Sequence, residues 1–137
     1  MYTKQQQLNN RQKKAKKDRS QRKKMIKQLD ALVTQIVQKR DKHCVTCGKN
    51  VGLYCGHFHS RTHYGTRWDL MNCHAQCNPC NLRHEADPFP YTRFMLRRYS
   101  IQALDDLYQR HRNITKYKTA DLEEIKEQLQ TVLEELL

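Results

Sequence analysis

Apolar residues recur at intervals of three and four after the first stretch of the chain. Met25 and Leu29 begin this series and Val37 ends it. The spacing places apolar side chains on one side of a helix, so it predicts an amphipathic helix over about residues 20–40. Residues 1–24 are almost wholly polar and contain no Gly or Pro. Two states fit that composition: a solvated tail that is disordered when free, or a helix that forms along a phosphate backbone.

The same spacing predicts helices in the C-terminal third of the chain. Residues 87–90 read Asp-Pro-Phe-Pro, a helix breaker, and a helix is expected near 91–98. Ser100 is a favoured N-cap for another helix. The last apolar stripe lies between Leu122 and Leu136 and begins with the spacing of a capping box, which predicts one further helix.

Strand-like segments occur only in the middle of the chain. Residues 51–58 follow a Gly-Lys-Asn turn and are predicted to form a short strand, with 71–76 as its partner. A helix is expected to begin near Pro79, because proline is tolerated in a first helical turn. These elements predict a mostly helical α+β fold in three segments, 1–43, 44–87 and 88–137.

Positive charge is concentrated at the N-terminal end. The formal net charge is +12 and the sequence pI is about 9.6. Residues 1–43 contain 14 Lys and Arg against 3 Asp and Glu. Such a chain favours a polyanionic partner, because phosphate contacts release counterions. We expect nucleic acid rather than a membrane, since no apolar run approaches the length of a spanning helix. The predicted contacts are Lys13, Lys14, Lys16, Lys17, Arg22, Lys23, Lys24, Arg61 and Arg67.

Cysteine use changes this picture of a polar chain. A mean hydropathy of −1.00 is too low for a large apolar core, and small domains of this kind commonly depend on a bound metal. The N-terminus lacks the apolar region of a signal peptide, so we expect a cytoplasmic protein. In a reducing cytoplasm, the six cysteines are expected to bind metal rather than to form disulfides.

Four of the cysteines form two Cys-x-x-Cys pairs. Each pair can hold a tetrahedral zinc ion through two thiolates in one tight turn. Four thiolates close the coordination shell, so the predicted zinc is structural. A redox role for the pairs is the alternative. Cys55 and Cys73 are left over and are expected to be small buried residues rather than ligands. The predicted zinc ligands are Cys44, Cys47, Cys77 and Cys80.

The segment between the pairs resembles a known family. It contains Gly-His-Phe-His at 56–59, an Asn at 72 and Cys-Asn at 80–81. This layout resembles the ββα-metal (HNH) nucleases, in particular the endonuclease VII type of junction resolvase. It is most similar to the phage recombination protein family called NinG or Rap. The resemblance runs from Cys44 to about His84, with a weaker similarity at 116–125. It implies a zinc-bound ββα-metal core at 44–87, flanked by N- and C-terminal helices.

The resemblance also implies an activity and roles for single residues. The expected activity is metal-dependent cutting of branched recombination intermediates, such as Holliday junctions and D-loops, in a phage-infected bacterial host. His57 matches the general base that activates water. Asn81 matches a ligand to a catalytic Mg²⁺ or Mn²⁺ ion. Asn72 matches the residue that hydrogen-bonds the backbone and holds the His57 loop.

One position departs from the family pattern. Many HNH nucleases carry a metal-ligating Asp or His immediately before the general base, where this chain has Gly56. His59 is a candidate replacement, because residues two apart share a strand face. His84 and Glu85 are further candidates, since they follow Asn81 by three and four residues on a helix. Asp69 is another option.

Three readings of the function therefore stay open. The first is the structure-selective nuclease, for which symmetric cutting predicts a homodimer, with the helix at 25–40 and the last helix as candidate dimer faces. The second is a non-catalytic zinc module that binds DNA or RNA, which the absent ligand at Gly56 favours. The third is a nuclease that acts on ordinary duplex or single-stranded DNA.

Overall fold

The computed structural model describes residues 1–137, which form six helices around one two-stranded sheet. Both strands and the longer predicted helices occur, with shifts of a few residues at most bounds. The elements in chain order are α1 (Lys4–Asp41), β1 (Leu53–His57), α2 (Tyr64–Arg67), β2 (Cys73–Cys77), α3 (Asn78–Arg83), α4 (Phe89–Arg98), α5 (Ile101–Arg112) and α6 (Thr119–Leu136).

The first helix begins at Lys4 rather than near residue 20. A capping box starts it: the Thr3 hydroxyl accepts from the Gln6 backbone N–H, and the Gln6 side chain accepts from the Thr3 N–H. The following residues are mostly Gln, Lys and Arg, which are good helix formers. Of the two states left open for the N-terminal stretch, the structure has the helix, and every side chain up to Gln21 is exposed.

The two strands pair in an antiparallel manner, with His57 opposite Cys73. Since side chains alternate between the two faces of a sheet, Cys55 shares a face with these two residues. That face packs against α1. Gly56 and His74 lie on the other face, where α4 covers them. The sheet therefore separates two environments, and the chemistry of its residues depends on the face they occupy.

The apolar stripes of α1 and α6 pack against each other and against β2. Polar contacts also join these parts of the chain. Arg22 of α1 donates to the Tyr117 carbonyl oxygen, just before α6, at 2.6 Å, and Lys126 of α6 donates to Gln28 of α1. The core thus includes residues from all three predicted segments. The stripes considered as dimer faces are covered within the chain. The buried cluster contains Met25, Leu29, Val33, Ile36, Val37, Trp68, Cys73, Ala75, Leu122 and Leu129.

A second, smaller apolar cluster joins α4 to α5. Tyr91 and Met95 of α4 are buried against Leu107 of α5. The partly buried aromatic residues Phe58, Phe94 and Tyr99 pack against this cluster, and the Phe94 ring contacts His74. No helix combines the length and the apolar composition that a bilayer-spanning segment requires.

Candidate functional site

The four predicted zinc ligands come together at one end of the sheet. The first pair lies in a tight turn in which the Gly48 N–H donates to the Cys44 carbonyl oxygen at 2.8 Å. Gly48 has φ of +84°, a conformation that favours glycine. Cys77 ends β2 and Cys80 lies in the first turn of α3. The four sulfur atoms all lie within 4.8 Å of one another, and those of Cys47 and Cys77 are 3.5 Å apart.

This cluster is compatible with a structural zinc ion. Thiolates about 2.3 Å from a tetrahedral zinc ion lie slightly less than 4 Å apart, close to the spacing seen here. Burial tends to raise the pKa of the Cys44 thiol, but hydrogen bonds from the Thr46 hydroxyl and from backbone N–H groups outweigh it and lower the pKa to about 6. The thiolate is the form that binds metal. Four cysteines leave no open coordination position.

His57 lies at the end of β1 with both ring nitrogens in defined surroundings. Its Nε2 lies 2.8 Å from the Arg67 carbonyl oxygen, which can only accept a hydrogen bond. Nε2 therefore carries the proton in the neutral ring, and Nδ1 keeps its lone pair. Nδ1 lies 4.0 Å from Cys55 Sγ. Burial lowers the pKa of His57, but the hydrogen bond and charge of Cys55 and the Arg67 carbonyl raise it above its ordinary value.

Asn72 is fully buried and fixes the loop that follows His57. Its Oδ1 accepts from the His59 backbone N–H at 2.8 Å, and its Nδ2 donates to the carbonyl oxygens of His59 and Thr66. Its own carbonyl oxygen accepts from the Phe58 N–H at 2.9 Å. These are the backbone contacts that the family resemblance implies for this residue. They orient the chain immediately after the candidate base.

One cleft brings His57 together with the start of the helix that follows the second cysteine pair. Its volume is about 590 Å³, and Asn81, His84, Glu85 and Arg61 line it together with His57. His84 Nε2 lies 2.8 Å from the Phe58 carbonyl oxygen, so this nitrogen is the donor. His84 Nδ1 is buried and has no hydrogen-bond partner. The cleft therefore combines the candidate base His57 with the side chains of Asn81, His84 and Glu85.

Two of the candidate replacement ligands lie elsewhere. The strand ends at His57, so the alternation that would place His59 on the same face does not continue. The His59 ring stacks on His111, with centroids 4.5 Å apart, and burial together with the neighbouring imidazoles lowers its pKa to about 4. Asp69 accepts from Arg110 Nε at 2.9 Å. His84 and Glu85 are thus the candidates that the structure places beside Asn81.

The glycine before the candidate base is required by packing. A Cβ atom at Gly56 would overlap the side chain of Gln76. Gln76 is buried and donates to the Thr46 hydroxyl at 3.2 Å, which ties it to the first cysteine pair. A carboxylate at position 56 would therefore require the buried Gln76 side chain to shift. Gln76 thus occupies the space that the side chain of a metal ligand would need at position 56.

A hydrogen-bond network behind the sheet was not predicted from the sequence. The Tyr91 hydroxyl donates to the Gly56 carbonyl oxygen at 2.7 Å. Its oxygen is then the acceptor for His74 Nδ1–H at 2.9 Å, so His74 Nε2 accepts from the Tyr99 hydroxyl at 2.7 Å. A neutral imidazole satisfies both contacts. Burial and the Arg40 charge lower the pKa of His74 to about 3.

This network predicts a loss of stability in mild acid. Above pH 6.5 His74 is neutral in both states, and the free energy of unfolding is unaffected. Between pH 6.5 and about 3 the unfolded chain binds a proton that the folded chain excludes. The contribution of His74 to the free energy of unfolding should therefore fall by about 1.4 kcal/mol for each unit by which the pH is lowered in this range. Urea unfolding across this range measures the slope, which His74→Phe should flatten and His43→Gln should not.

The predicted basic residues divide into free and engaged groups. Arg67 makes a two-pronged ion pair with Asp30 at 3.0 and 2.7 Å and is mostly buried. Arg22 donates to the backbone carbonyl oxygen of Tyr117, just before α6. Arg61 is 62% exposed and lies 3.6 Å from Asp30. Arg61 is therefore better placed than Arg67 to contact a phosphate. The exposed lysines are Lys13, Lys14, Lys16, Lys17, Lys23 and Lys24.

Arg61 also connects two neighbouring cavities. It lines the cleft that contains His57, and it lines a cavity of about 630 Å³ beside α1. Lys23, Lys24 and Lys27 line that second cavity. Basic side chains thus line both cavities, from the exposed helix to the cleft. Such an arrangement suits a polyanion that extends past the cleft.

The two remaining cysteines lie beside the candidate base. Cys73 is fully buried, as its apolar character predicts, and Cys55 is half-buried. Their sulfur atoms and a ring nitrogen of His57 all lie within 4.8 Å of one another. The local spacing of the sequence gives no sign of this cluster, because it depends on the register of the two strands.

Comparison with known proteins places this chain among bacteriophage proteins. A family model described as "Bacteriophage Lambda NinG protein" matches residues 2–137. The protein ninG of Salmonella phage P22 is 28% identical over 116 residues, which cover 81% of this chain and 57% of that protein. The protein ninG of Escherichia phage lambda is 27% identical over 116 residues, covering 81% and 56%. The chain thus spans little more than half the length of these relatives. No solved structure matches.

Proposed function

The chain belongs to the bacteriophage lambda NinG protein family, and from this premise we propose that it is a metal-dependent endonuclease that cuts branched recombination intermediates in the cytoplasm of the infected host. The observation that carries the proposal is the cleft in which His57, Asn81 and Arg61 meet. General base, oxygen ligand and phosphate contact are the three functions that phosphodiester hydrolysis requires.

In this mechanism His57 takes a proton from water through Nδ1. The Arg67 carbonyl holds Nε2–H and so keeps the lone pair on Nδ1. The resulting hydroxide attacks the phosphorus atom, and the bond from phosphorus to the leaving oxygen breaks. Asn72 supports the geometry by fixing the loop after His57. Arg61 would bind a non-bridging phosphate oxygen at the edge of the cleft.

The residues of the cleft suit a hard cation. The Asn81 amide oxygen and the Glu85 carboxylate are ligands that Mg²⁺ and Mn²⁺ accept, and the unpartnered His84 Nδ1 is a further donor. Such an ion, when bound, supplies positive charge to the scissile phosphate and to the leaving oxygen. These three residues would replace the ligand that Gly56 cannot provide.

The exposed lysines of α1 support binding to the DNA backbone. These lysines carry no base-specific geometry, so they would give affinity for any duplex with a steep dependence on salt. Preference for branched DNA is inferred from the family. Symmetric cutting of a four-way junction needs two active sites, so we propose a homodimer. Its interface would lie outside the α1 and α6 stripes, because these are buried in the chain.

A cleavage assay on matched substrates tests the proposal. Four-way junction, D-loop and linear duplex DNA of the same sequence are incubated with the protein at fixed salt, with Mg²⁺, Mn²⁺ or chelator. We expect metal-dependent cutting of the branched substrates. Equal cutting of junction and duplex would contradict the branched-DNA preference. Binding without cutting under any metal would overturn the nuclease proposal in favour of a zinc-bound DNA-binding module, which the closed position at Gly56 favours as the second candidate.

A further inference from the structure

Three residues on the α1 face of the sheet form a second cluster of metal-binding side chains. The sulfur atoms of Cys55 and Cys73 and a ring nitrogen of His57 all lie within 4.8 Å of one another. We propose that these residues bind a second zinc ion, separate from the four-cysteine cluster, and that the fourth coordination position opens into the cleft.

The strand pairing explains why these side chains meet. Cys55 precedes His57 by two residues on β1, so both side chains lie on the same face. Cys73 lies directly opposite His57 on β2. The three side chains therefore lie close together on one face of the sheet. Cross-strand neighbours approach to about 5 Å between Cβ atoms, which lets side chains share an ion.

The chemistry of the three side chains selects zinc over magnesium. Two thiolates and one imidazole form a soft donor set, whereas Mg²⁺ takes oxygen ligands. Ligand atoms of a tetrahedral zinc ion lie slightly less than 4 Å apart. His57 Nδ1 is 4.0 Å from Cys55 Sγ, so only a small adjustment is needed.

One backbone carbonyl orients the histidine ligand. The Arg67 oxygen accepts from His57 Nε2 at 2.8 Å and lies 3.4 Å from Cys73 Sγ. Because Nε2 carries the proton, Nδ1 presents its lone pair to the side of Cys55. A carbonyl that fixes the tautomer of a metal-binding histidine is a usual feature of zinc sites. His57 is therefore oriented to bind a metal before one arrives, whereas the Cys73 thiol, which donates to the same oxygen, would lose its proton to a bound zinc ion.

The position of the cluster leaves one coordination site accessible. Cys55 and His57 line the cleft, and Cys73 lies behind them with no exposed surface. Three protein ligands with one open position hold zinc less tightly than four thiolates and leave room for a water molecule. The ion would also occupy the lone pair of His57. Zinc at this site should therefore inhibit cleavage, a consequence that rests on the proposed function, whereas the metal site itself does not.

Metal content is the direct test. Protein saturated with Zn²⁺ and freed of loosely bound ion should contain two equivalents, and the Cys55→Ala and Cys73→Ala variants one. His43→Ala, which changes an exposed histidine outside both clusters, should keep two. A Co²⁺ titration should show a second tetrahedral species with fewer thiolate bands, absent from both cysteine variants. One equivalent in the wild type, or two in the Cys55→Ala variant, would overturn the site.

The design separates this proposal from the nuclease proposal. Cys55 is partly exposed, so Cys55→Ala decides the count even where Cys73→Ala disturbs packing in the core. Metal content needs no DNA and no activity. Two equivalents in the wild type, together with no cleavage in Mg²⁺ by the Cys55→Ala variant that lacks the inhibitory zinc, would support the zinc site and contradict the nuclease. One equivalent together with cleavage would do the reverse.

Discussion

Replacing Cys77 by serine should remove the structural zinc and unfold the middle of the chain. Cys77 is buried, ends β2 and precedes α3, so its sulfur joins three local structures. Structural zinc sites contribute about 10–16 kcal/mol in small domains, whereas whole domains are stable by only about 5–15 kcal/mol. The loss is therefore expected to exceed the stability of the sheet. The α1 and α6 pair should retain part of its helix, because its packing is largely apolar.

Zinc analysis and thermal unfolding of the variant measure this effect. Wild-type protein treated with a strong chelator should match the variant, and added zinc should restore only the wild type. His43→Ala is the matched control, because it changes an exposed residue beside the four-cysteine cluster that belongs to neither metal cluster. A chelated wild type that melts at its usual temperature would refute the structural role of the metal.

Replacing His57 by alanine should reduce cleavage by about 10²–10⁴-fold, the usual contribution of a positioned general base. Affinity for DNA should stay within a few-fold of wild type, because the exposed lysines and Arg61 remain in place. The variant thus separates chemistry from binding. Single-turnover cleavage gives the rate, and equilibrium binding gives the affinity. Both are measured on the same junction, at the same salt and metal concentration.

One matched control and one further variant sharpen that experiment. His43→Ala removes an exposed imidazole outside the cleft and should leave the rate unchanged. Asn81→Ala should lower the rate and raise the metal concentration needed for half-maximal cutting, since it removes an oxygen ligand rather than a base. A His57→Ala protein that cuts as fast as wild type would show that the proton goes to another group.

Local spacing was sufficient to predict some parts of the molecule. The two Cys-x-x-Cys pairs each lie in one turn, so four residues determine the geometry of each half of the cluster. The stripes that begin at Met25 and Leu122 determine which side of each helix is buried. The spacing of Thr3 and Gln6 is that of the capping box that starts α1, whereas the polar composition of residues 1–24 fits a disordered tail as well as a helix.

Other features depend on residues far apart in the chain. Asp69 pairs with Arg110, 41 residues later, and this partner cannot be inferred from either neighbourhood. Because β1 ends at His57, His59 lies outside the strand and its ring packs against His111 of α5. The alternation of side chains along a strand does not predict the residue at which the strand ends. The closed space at Gly56 depends on Gln76 in the opposite strand. Two of the candidate metal ligands, His59 and Asp69, therefore lie away from the cleft that contains the candidate base.

The pairing of α1 with α6 has a consequence for how the protein is made. The apolar stripe of α1 is synthesised early, yet the helix that covers it follows about 80 residues later. Translation at about 5–20 residues per second leaves that stripe uncovered for several seconds on the ribosome. Contacts between such distant segments also slow folding, because a long loop must close first. The nascent chain should accordingly be a client for chaperones until α6 emerges.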